Sequence, residues 1–543
     1  MAGKKKRRRR GRQLLLPEGF YGLLSGAGVL LCCLWPLRMA ALCGDEGSAY
    51  FMGALELAFF FFSLFGLGAN RAVGLIIRFR LERGGVGDAR MAARKALLFG
   101  LISGLVLSAV MLGAAKAVCQ SILHLPLAVM AVRMLALSLT PFTLFWMLLG
   151  VLDAFGGGQA ARALTGLFGL LLFVSGSAAA GPFGAYGEKV GALLQNASYG
   201  PAYGAKGAAL AFPAASLVCL AAALAVWLGV RRSIADVELE GRKSSPAEPW
   251  LFRNVWKNAL PVCVPGLCLA VGALAQTALY AGAESAGAWG VYEGKCRILH
   301  LILLAGALGL AARMTPELKV GFLNRNLRKS REKCMLALRC SALYLVPAAV
   351  LTAVLAEPLL RALFSAEGAG DVAGPLQVCS LSLIFGGLAF MMGAVLFAME
   401  MYYSLWTAVA ASTALRLGSF YVMQSLLKLQ LYSPACAELL GSFVLCLLLI
   451  AILRRRLKIS VSWLRILLAP CIGGAVTAAV CLLFSKLLLA KAPAAATVIV
   501  SMLVGLAVYF VLAVLLKGAS RRELRLFPGG EYLVRAARLL RLL

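Results

Sequence analysis

The stretch Phe20–Leu42, FYGLLSGAGVLLCCLWPLRMAAL, is an apolar run of 23 residues that follows a strongly basic N-terminal tail. About 20 predominantly apolar residues are enough for a helix to cross the hydrocarbon core of a bilayer. The run is longer than the apolar part of a signal peptide and lacks a clear cleavage site. We therefore predict that it is retained as the first membrane span.

Apolar runs of similar length recur along the whole chain. Hydrophobic residues make up 61% of the 543 residues and charged residues only 14%, which leaves too little polar surface for a soluble protein. Further spans are predicted at about 49–69, 96–118, 127–151, 161–182, 205–230, 254–280, 294–312, 335–356, 375–399, 404–427, 433–453, 464–488 and 494–516. The sequence predicts an all-α polytopic membrane protein of about fourteen transmembrane helices.

The charges in the connecting segments alternate along the chain. Eight Lys and Arg residues precede the first span, seven lie in Asn70–Lys95, six in Arg231–Lys257 and seven in Arg313–Lys333. The alternate connections of the first half are nearly free of Lys and Arg. Because cytoplasmic loops carry the excess of basic residues, this pattern places the N- and C-termini on the cytoplasmic side of the membrane.

The longest polar connection divides the chain near its middle, with six spans before it and eight after it. This arrangement predicts two six-helix lobes followed by two additional helices, and the tail has the pattern of an amphipathic helix on the inner leaflet. The predicted parts are a basic cytoplasmic tail (1–19), an N-lobe (20–230), a cytoplasmic linker (231–253), a C-lobe (254–453), two C-terminal spans (464–516) and an amphipathic cytoplasmic tail (517–543).

The formal net charge of +31 is explained by topology signals and by contacts with anionic lipid headgroups. We expect no nucleic-acid partner, since the basic tail has no interleaved aromatic residues and no nucleic-acid-binding fold accompanies it. The fifteen cysteines form no CxxC pair or Cys/His cluster, so neither a metal nor a cofactor is predicted. No nucleotide-binding glycine loop or catalytic triad pattern occurs, and we predict that the protein is not an enzyme.

Polar and ionisable residues within the predicted spans are the candidates for a substrate cavity, because a charge in the membrane normally faces water or a partner. These residues are Arg38, Glu56, Arg71, Arg133, Gln276, Glu293, Lys295, Arg297 and Arg416.

Simpler roles remain open for several of these candidates. Arg38 and Lys295 are within reach of the outer interface and could extend their charges to it. Arg71 either marks the inner boundary of the membrane or gates the substrate entrance. Glu56 could form a structural ion pair with a nearby arginine. Arg416, in the middle of a span, is the hardest to explain by topology.

The candidate cations outnumber the acids, and Glu56 is the only clear carboxylate in the middle of a predicted span. Guanidinium groups hold phosphate oxygens through two-pronged, charge-assisted hydrogen bonds. This balance predicts a substrate with an anionic headgroup. A transporter of cationic drugs would instead need a buried carboxylate for its proton or sodium ion.

Several stretches are similar to one known family. LRMAALCGDEG at Leu37–Gly47, LFGLGANR at Leu64–Arg71, NALP at Asn258–Pro261 and MTPEL at Met314–Leu318 resemble the stage V sporulation protein B-like transporters. These are polysaccharide-biosynthesis (oligosaccharide flippase) members of the multidrug/oligosaccharidyl-lipid/polysaccharide (MOP) exporter superfamily. The chain departs from the family's usual Gly-Leu-Pro-Val-Ala run, with Gly-Ala-Asn-Arg-Ala at Gly68–Ala72.

The resemblance implies a transporter in the bacterial cell membrane, with two lobes in a V shape that open alternately to either side. We expect this transporter to be a monomer. It implies that the protein flips polyprenyl-pyrophosphate-linked saccharides for envelope or spore-wall synthesis, with a proton or sodium ion as a possible coupling ion. Two alternatives remain open at this point. One is a cation-coupled multidrug efflux transporter of the related branch, and the other is a membrane scaffold that transports nothing.

Overall fold

The computed structural model describes residues 18–83, 85–238, 251–323, 327–364, 369–457, 463–489, 493–516, 518–527 and 530–539. Within these ranges the regular secondary structure is entirely helical, which confirms the predicted all-α class. Most of the predicted basic tail (1–17) and the middle of the predicted linker (239–250) lie outside the described residues.

Six long helices form the first half of the chain. They are α1 (Glu18–Leu64), α2 (Gly66–Glu82), α3 (Val86–Ala117), α4 (Val129–Ala154), α5 (Gly158–Leu194) and α6 (Tyr199–Glu238). A π-helix (Val118–Ile122) and a 3₁₀-helix (Pro126–Ala128) connect α3 to α4.

The second half contains both long and short helices. They are α7 (Leu251–Ala283), α8 (Ala286–Val291), α9 (Ile298–Leu323), α10 (Leu327–Val354), α11 (Ala356–Leu363), α12 (Ala369–Ala398), α13 (Tyr402–Ser425), α14 (Tyr432–Leu457), α15 (Trp463–Leu489), α16 (Ala494–Leu515), α17 (Arg521–Leu526) and α18 (Gly530–Leu539). A π-helix (Tyr292–Arg297) joins α8 to α9.

Helix α1 is interrupted at Gly44, where φ is 71° and ψ is −174°. Glycine adopts a positive φ at little steric cost because it has no Cβ. At 1.5 Å per residue, the 47 residues of α1 would be about twice as long as the hydrocarbon core is thick. The break therefore divides α1 into two membrane-length segments, at the positions predicted for the first two spans.

The chain is a multi-pass membrane protein. Within the described residues, twelve helical segments are long and apolar enough to cross a membrane, and the first of them, Phe20–Glu82, contains the break at Gly44. Separating that segment at the break adds one span. Helix α13 is not among the twelve, but it has 24 residues and coincides with another predicted span. The helices thus agree with the predicted count of about fourteen.

The helices pack mainly within two groups, which we call the N-bundle (α1–α6) and the C-bundle (α7–α14). In the N-bundle α5 and α6 pack together and against α1 and α4, while in the C-bundle α12 packs against α9, α10 and α14. Helices α15 and α16 form a pair that rests on α10 and α11. The division into two six-helix lobes stays a prediction, which this packing pattern favours.

The two bundles meet where α1 and α2 contact α7, α8 and α9. Two glycines permit a close approach there. A Cβ on Gly68 would overlap the backbone of Ala259, and a Cβ on Gly290 would overlap the carbonyl oxygen of Asp45. The charge pattern predicts that the end at which Gly44 lies faces the outside, and we call it the outer end. The opposite end is called the inner end.

The C-terminal tail packs against the C-bundle. Ser520 and Glu523 form a capping box at the start of α17, and the buried Glu523 carboxylate lies 3.7 Å from the Arg339 guanidinium of α10. In α18 the face that carries Val534 is buried, whereas Tyr532 is largely exposed.

Candidate functional site: a buried charge network between the bundles

The π-helix Tyr292–Arg297, with the sequence YEGKCR, carries three charged residues where the two bundles meet. Single π-helical turns are rare and frequently occur at functional sites. Gly294 within it faces α1, where an added Cβ would lie 2.8 Å from the side chain of Ser48. The segment therefore approaches the N-bundle closely enough for its side chains to reach across.

Arg297 joins the two bundles through Glu56. Its Nη1 donates to Glu56 Oε1 at 2.5 Å and to Glu293 Oε1 at 2.5 Å. The hydroxyl of Thr277 on α7 donates to Glu56 Oε2 at 2.6 Å. Glu56 and Glu293 are buried, Glu293 completely. One guanidinium thus bridges two carboxylates that come from opposite bundles.

A second ion pair links the bundles closer to the outer end. Lys295 Nζ lies 2.8 Å from Asp45 Oδ1, next to the break at Gly44. The same Nζ lies 5.8 Å from the centre of the Phe364 ring. Lys295, for which an interfacial role remained open, is therefore paired in this structure, and its side chain is only 14% exposed.

Arg416 lies within the C-bundle and pairs with Glu438 of α14, where its Nη1 donates to Oε2 at 2.7 Å. A Cβ on Gly272 of α7 would be 2.5 Å from Arg416 Nη2, so the guanidinium rests directly against that helix. Gln276 is one turn further along α7 and is also buried. Within the described residues, Arg416 Nε and Nη2 and Gln276 Nε2 are buried donors without a hydrogen-bond partner.

The structure corrects the predicted charge balance. Glu56 is not the only carboxylate in the middle of the spans, because the buried Glu293 and the partly buried Glu438 lie in the same region. Together the three carboxylates outnumber Arg297 and Arg416, so the predicted excess of cations is wrong for this network. The sequence analysis counted charges span by span, whereas the balance depends on which spans pack together. Only six residues separate α13 from α14, and this short connection could have indicated that Glu438 faces Arg416.

Arg71 links the bundles near the inner end. Its Nη2 donates to the hydroxyl of Tyr402 at 3.0 Å, and its guanidinium lies 4.3 Å from the centre of the Phe397 ring. Both aromatic residues lie at the connection between α12 and α13. Arg71 therefore contacts the opposite bundle, as the gating alternative requires.

Two predicted cavity residues are placed elsewhere. Arg38 and Arg133 are exposed on the surface of the described part of the chain and do not join the network. His300, which is not among the predicted cavity residues, is buried beside it, with Nδ1 3.1 Å from the carbonyl oxygen of Cys379. The described residues contain no group of three or more His, Cys, Asp or Glu that could hold a metal ion.

Comparison with known proteins identifies the fold. The sequence matches no protein-family profile, and no curated protein is significantly similar to it. The structure is similar to that of an inward-facing multidrug resistance MATE family transporter of the MOP superfamily, with a TM-score of 0.61 and 18% identity over 82% of this chain and 96% of that one. The outward-facing conformation of a MATE family transporter gives a TM-score of 0.56 and 20% identity over 81% and 95% of the two chains.

A MOP superfamily transporter from Pyrococcus furiosus is also similar, with a TM-score of 0.58 and 18% identity over 81% of this chain and 95% of that one. Its reported binding pocket has reversed polarity, which suggests a different function for that protein. At these identities the likeness concerns the fold alone. The chain therefore has the fold of the MATE transporters of the MOP superfamily.

Proposed function

We propose that the chain is an alternating-access transporter that moves lipid-linked saccharides with an anionic headgroup across the bacterial cell membrane. The observation that carries this proposal is the buried polar network where the N- and C-bundles meet. Placing a charged side chain within the membrane costs free energy, so such residues normally line the pathway of a polar substrate or an ion. Ion pairs that join two bundles can be made and broken as the bundles rock, without covalent chemistry.

The proposed substrate class is supported by the unused donors in the C-bundle. Arg416 Nε and Nη2 and Gln276 Nε2 have no acceptor within the described part of the chain, although they are buried. A buried donor without an acceptor costs roughly 1–3 kcal/mol. The oxygen atoms of a phosphate or a sugar would satisfy such donors, in agreement with the family resemblance along the sequence.

The decisive experiment is a leaflet-accessibility assay in cells depleted of their other flippases. Expression of the chain is expected to bring the lipid-linked precursor to the outer leaflet. Arg416→Ala is expected to slow this transport by about ten- to a hundredfold, the equivalent of a lost charge-assisted hydrogen bond of about 1.5–3 kcal/mol. The double variant Arg416→Ala/Glu438→Ala removes the carboxylate that would otherwise be left unpaired, and it should be equally slow.

Arg361→Ala is the matched control, because Arg361 forms an exposed ion pair with Glu357 at 2.5 Å, outside the network. It should transport normally. A precursor that stays in the inner leaflet when the wild-type chain is expressed would contradict the proposed substrate.

Cation-coupled multidrug efflux is the second candidate, favoured by the surplus of carboxylates in the network. It predicts that Glu56→Gln abolishes drug resistance in cells while Arg416→Ala has little effect. Resistance that is lost with Arg416→Ala and kept with Glu56→Gln would exclude this candidate. Minimum inhibitory concentrations of cationic drugs in an efflux-deficient strain provide the measurement.

A further inference from the structure

Helix α18 packs against the protein with one face and leaves the opposite face exposed. Val534 and Ala537 are buried on the packed face. Tyr532 and Leu539 are 73% and 85% exposed. Residues three, four and seven positions apart lie on the same face of a helix, so Arg535 lies between Tyr532 and Leu539 on the exposed face. Its guanidinium is 5.9 Å from the centre of the Tyr532 ring.

The packed face places α18 near the inner boundary of the membrane. Val534 belongs to the same core cluster as Val346 of α10 and Val514 of α16. Helix α16 is one of the segments that are long and apolar enough to cross a membrane, and Val514 is next to its last residue. The charge pattern predicts that α16 ends on the inner side. The exposed face of α18 therefore lies at about the depth of the inner headgroups.

The described residues of the tail (518–527 and 530–539) carry five arginines and two glutamates. Both glutamates are engaged, Glu523 with Arg339 of α10 at 3.7 Å and Glu531 with Arg525 at 3.4 Å. The other four arginines are exposed and form no ion pair within the described part of the chain, namely Arg521, Arg522, Arg535 and Arg538. The surface of the tail is therefore strongly basic.

The chemistry of the exposed face matches an anionic leaflet. Basic side chains near the membrane are attracted by acidic phospholipids. Aromatic rings favour the headgroup region, where an arginine can keep its charge in water while its stem contacts apolar atoms. An acidic soluble protein would satisfy the arginines but would not account for Tyr532 and Leu539 at headgroup depth. The combination of charge, ring and leucine favours lipid.

We propose that the exposed face of α18 is a docking site for anionic phospholipids of the inner leaflet, and that lipid bound there holds the tail against α10 and α16. The core cluster of Val534 includes residues of both helices, so a docked tail ties the pair α15 and α16 to the C-bundle. The charge of the leaflet thereby sets how firmly this pair is attached. The inference is independent of the transported substrate.

Hydrogen–deuterium exchange of the full-length protein in two kinds of vesicle tests the proposal. One kind contains phosphatidylcholine alone, and the other contains equal parts of phosphatidylcholine and phosphatidylglycerol. Amides in a helix exchange when the helix opens locally, so a peptide that covers Gly530–Leu539 reports how firmly the tail is docked.

Anionic vesicles are expected to slow exchange in this peptide by about thirtyfold, because two arginines near an anionic surface contribute about 1 kcal/mol each. Exchange at the inner end of α16 should slow together with it, since Val514 shares the cluster with Val534. Equal exchange of the wild type in the two kinds of vesicle would overturn the docking site.

The double variant Arg535→Gln/Arg538→Gln should respond to anionic lipid by about threefold or less, as expected when most of the attraction is lost. Arg328→Gln is the matched control. Arg328 is an exposed arginine of α10 that lies 3.6 Å from Glu332, and it precedes the contact at Arg339 by roughly 16 Å of helix. This control should respond as the wild type does. An equal loss in Arg328→Gln would show a general effect of the vesicle charge and would overturn the site on α18.

Two further measurements keep the result unambiguous. If the double glutamine variant exchanges fast in both kinds of vesicle, Arg535→Lys/Arg538→Lys decides, because it keeps both charges. A wild-type response in the lysine variant supports the proposal, and a lost response overturns it. Inorganic phosphate added to vesicles of phosphatidylcholine alone, at constant ionic strength, should leave the exchange unchanged. Slowing by free phosphate would indicate a phosphate site and would overturn docking to a lipid surface.

Discussion

At the scale of single residues, Arg297 provides the positive charge that allows Glu56 and Glu293 to lie close together between the two bundles. It is the shared counter-ion of Glu56 and Glu293, at 2.5 Å from each. An ion pair in the interior contributes little relative to apolar packing, because both charges lose their hydration. Breaking it is different, since the remaining charge stays buried. The network therefore specifies one arrangement of the bundles more than it adds stability.

The first prediction concerns this residue. Arg297→Ala leaves two buried carboxylates without their cation, so it should lower the free energy of unfolding by about 3–5 kcal/mol. Arg361→Ala breaks an exposed pair and should cost at most about 1 kcal/mol. Thermal unfolding of both purified variants in detergent provides the comparison. Equal midpoints would show that the Arg297 pairs do not hold the closed form together.

At the scale of helices and their contacts, backbone proximity decides where the charges can meet. The π-helix reaches α1 because Gly290 and Gly294 have no side chains at the contact. Gly44 breaks α1 at the same end and places Asp45 within reach of Lys295. The glycines of this contact are thus as important for the site as its charged residues.

The second prediction tests this contact. A Cβ on Gly290 would overlap the carbonyl oxygen of Asp45, so Gly290→Ala should cost about 1–3 kcal/mol of stability and accelerate amide exchange in Tyr292–Arg297. Gly309→Ala is the matched control in α9, because no atom lies within 4 Å of its added Cβ. It should be neutral or stabilise the helix by up to about 1 kcal/mol. A neutral Gly290→Ala variant would contradict the close approach.

At the scale of the whole molecule, the two bundles touch at both ends. Lys295 and Asp45 join them near the outer end, and Arg71 joins them to Tyr402 and Phe397 near the inner end. A molecule that opens alternately must break one of these contacts while it keeps the other. The two contacts therefore oppose each other in setting the conformational equilibrium.

The third prediction follows from that opposition. Arg71→Ala removes a cation–π contact of about 0.5–2 kcal/mol, so the inner end should open about two- to thirtyfold more often. Amide exchange at Met399–Tyr402 should then rise while exchange near Gly44 stays slow. Lys295→Ala should produce the opposite pattern. An equal rise at both ends in either variant would indicate general loosening rather than alternation.

The sequence alone determined the membrane class and the positions of the helices. A helix in a bilayer satisfies its backbone hydrogen bonds within one apolar segment, so that segment can be recognised without knowing its neighbours. The break at Gly44 also falls between two predicted spans. The orientation of the termini stays a prediction from the charge pattern.

The pairing of charges was decided only by the tertiary structure. Glu56 and Arg297 are 241 residues apart, and the choice of partner depends on which faces of α1 and the π-helix meet. For the same reason the sequence did not predict that Glu438 belongs to the network. Arg38 and Arg133, which were predicted to line the cavity, lie on the surface away from it. The network therefore contains an excess of carboxylates where an excess of cations was predicted. The sequence shows which charged residues lie within apolar spans, whereas the partner that compensates each charge depends on packing between distant segments.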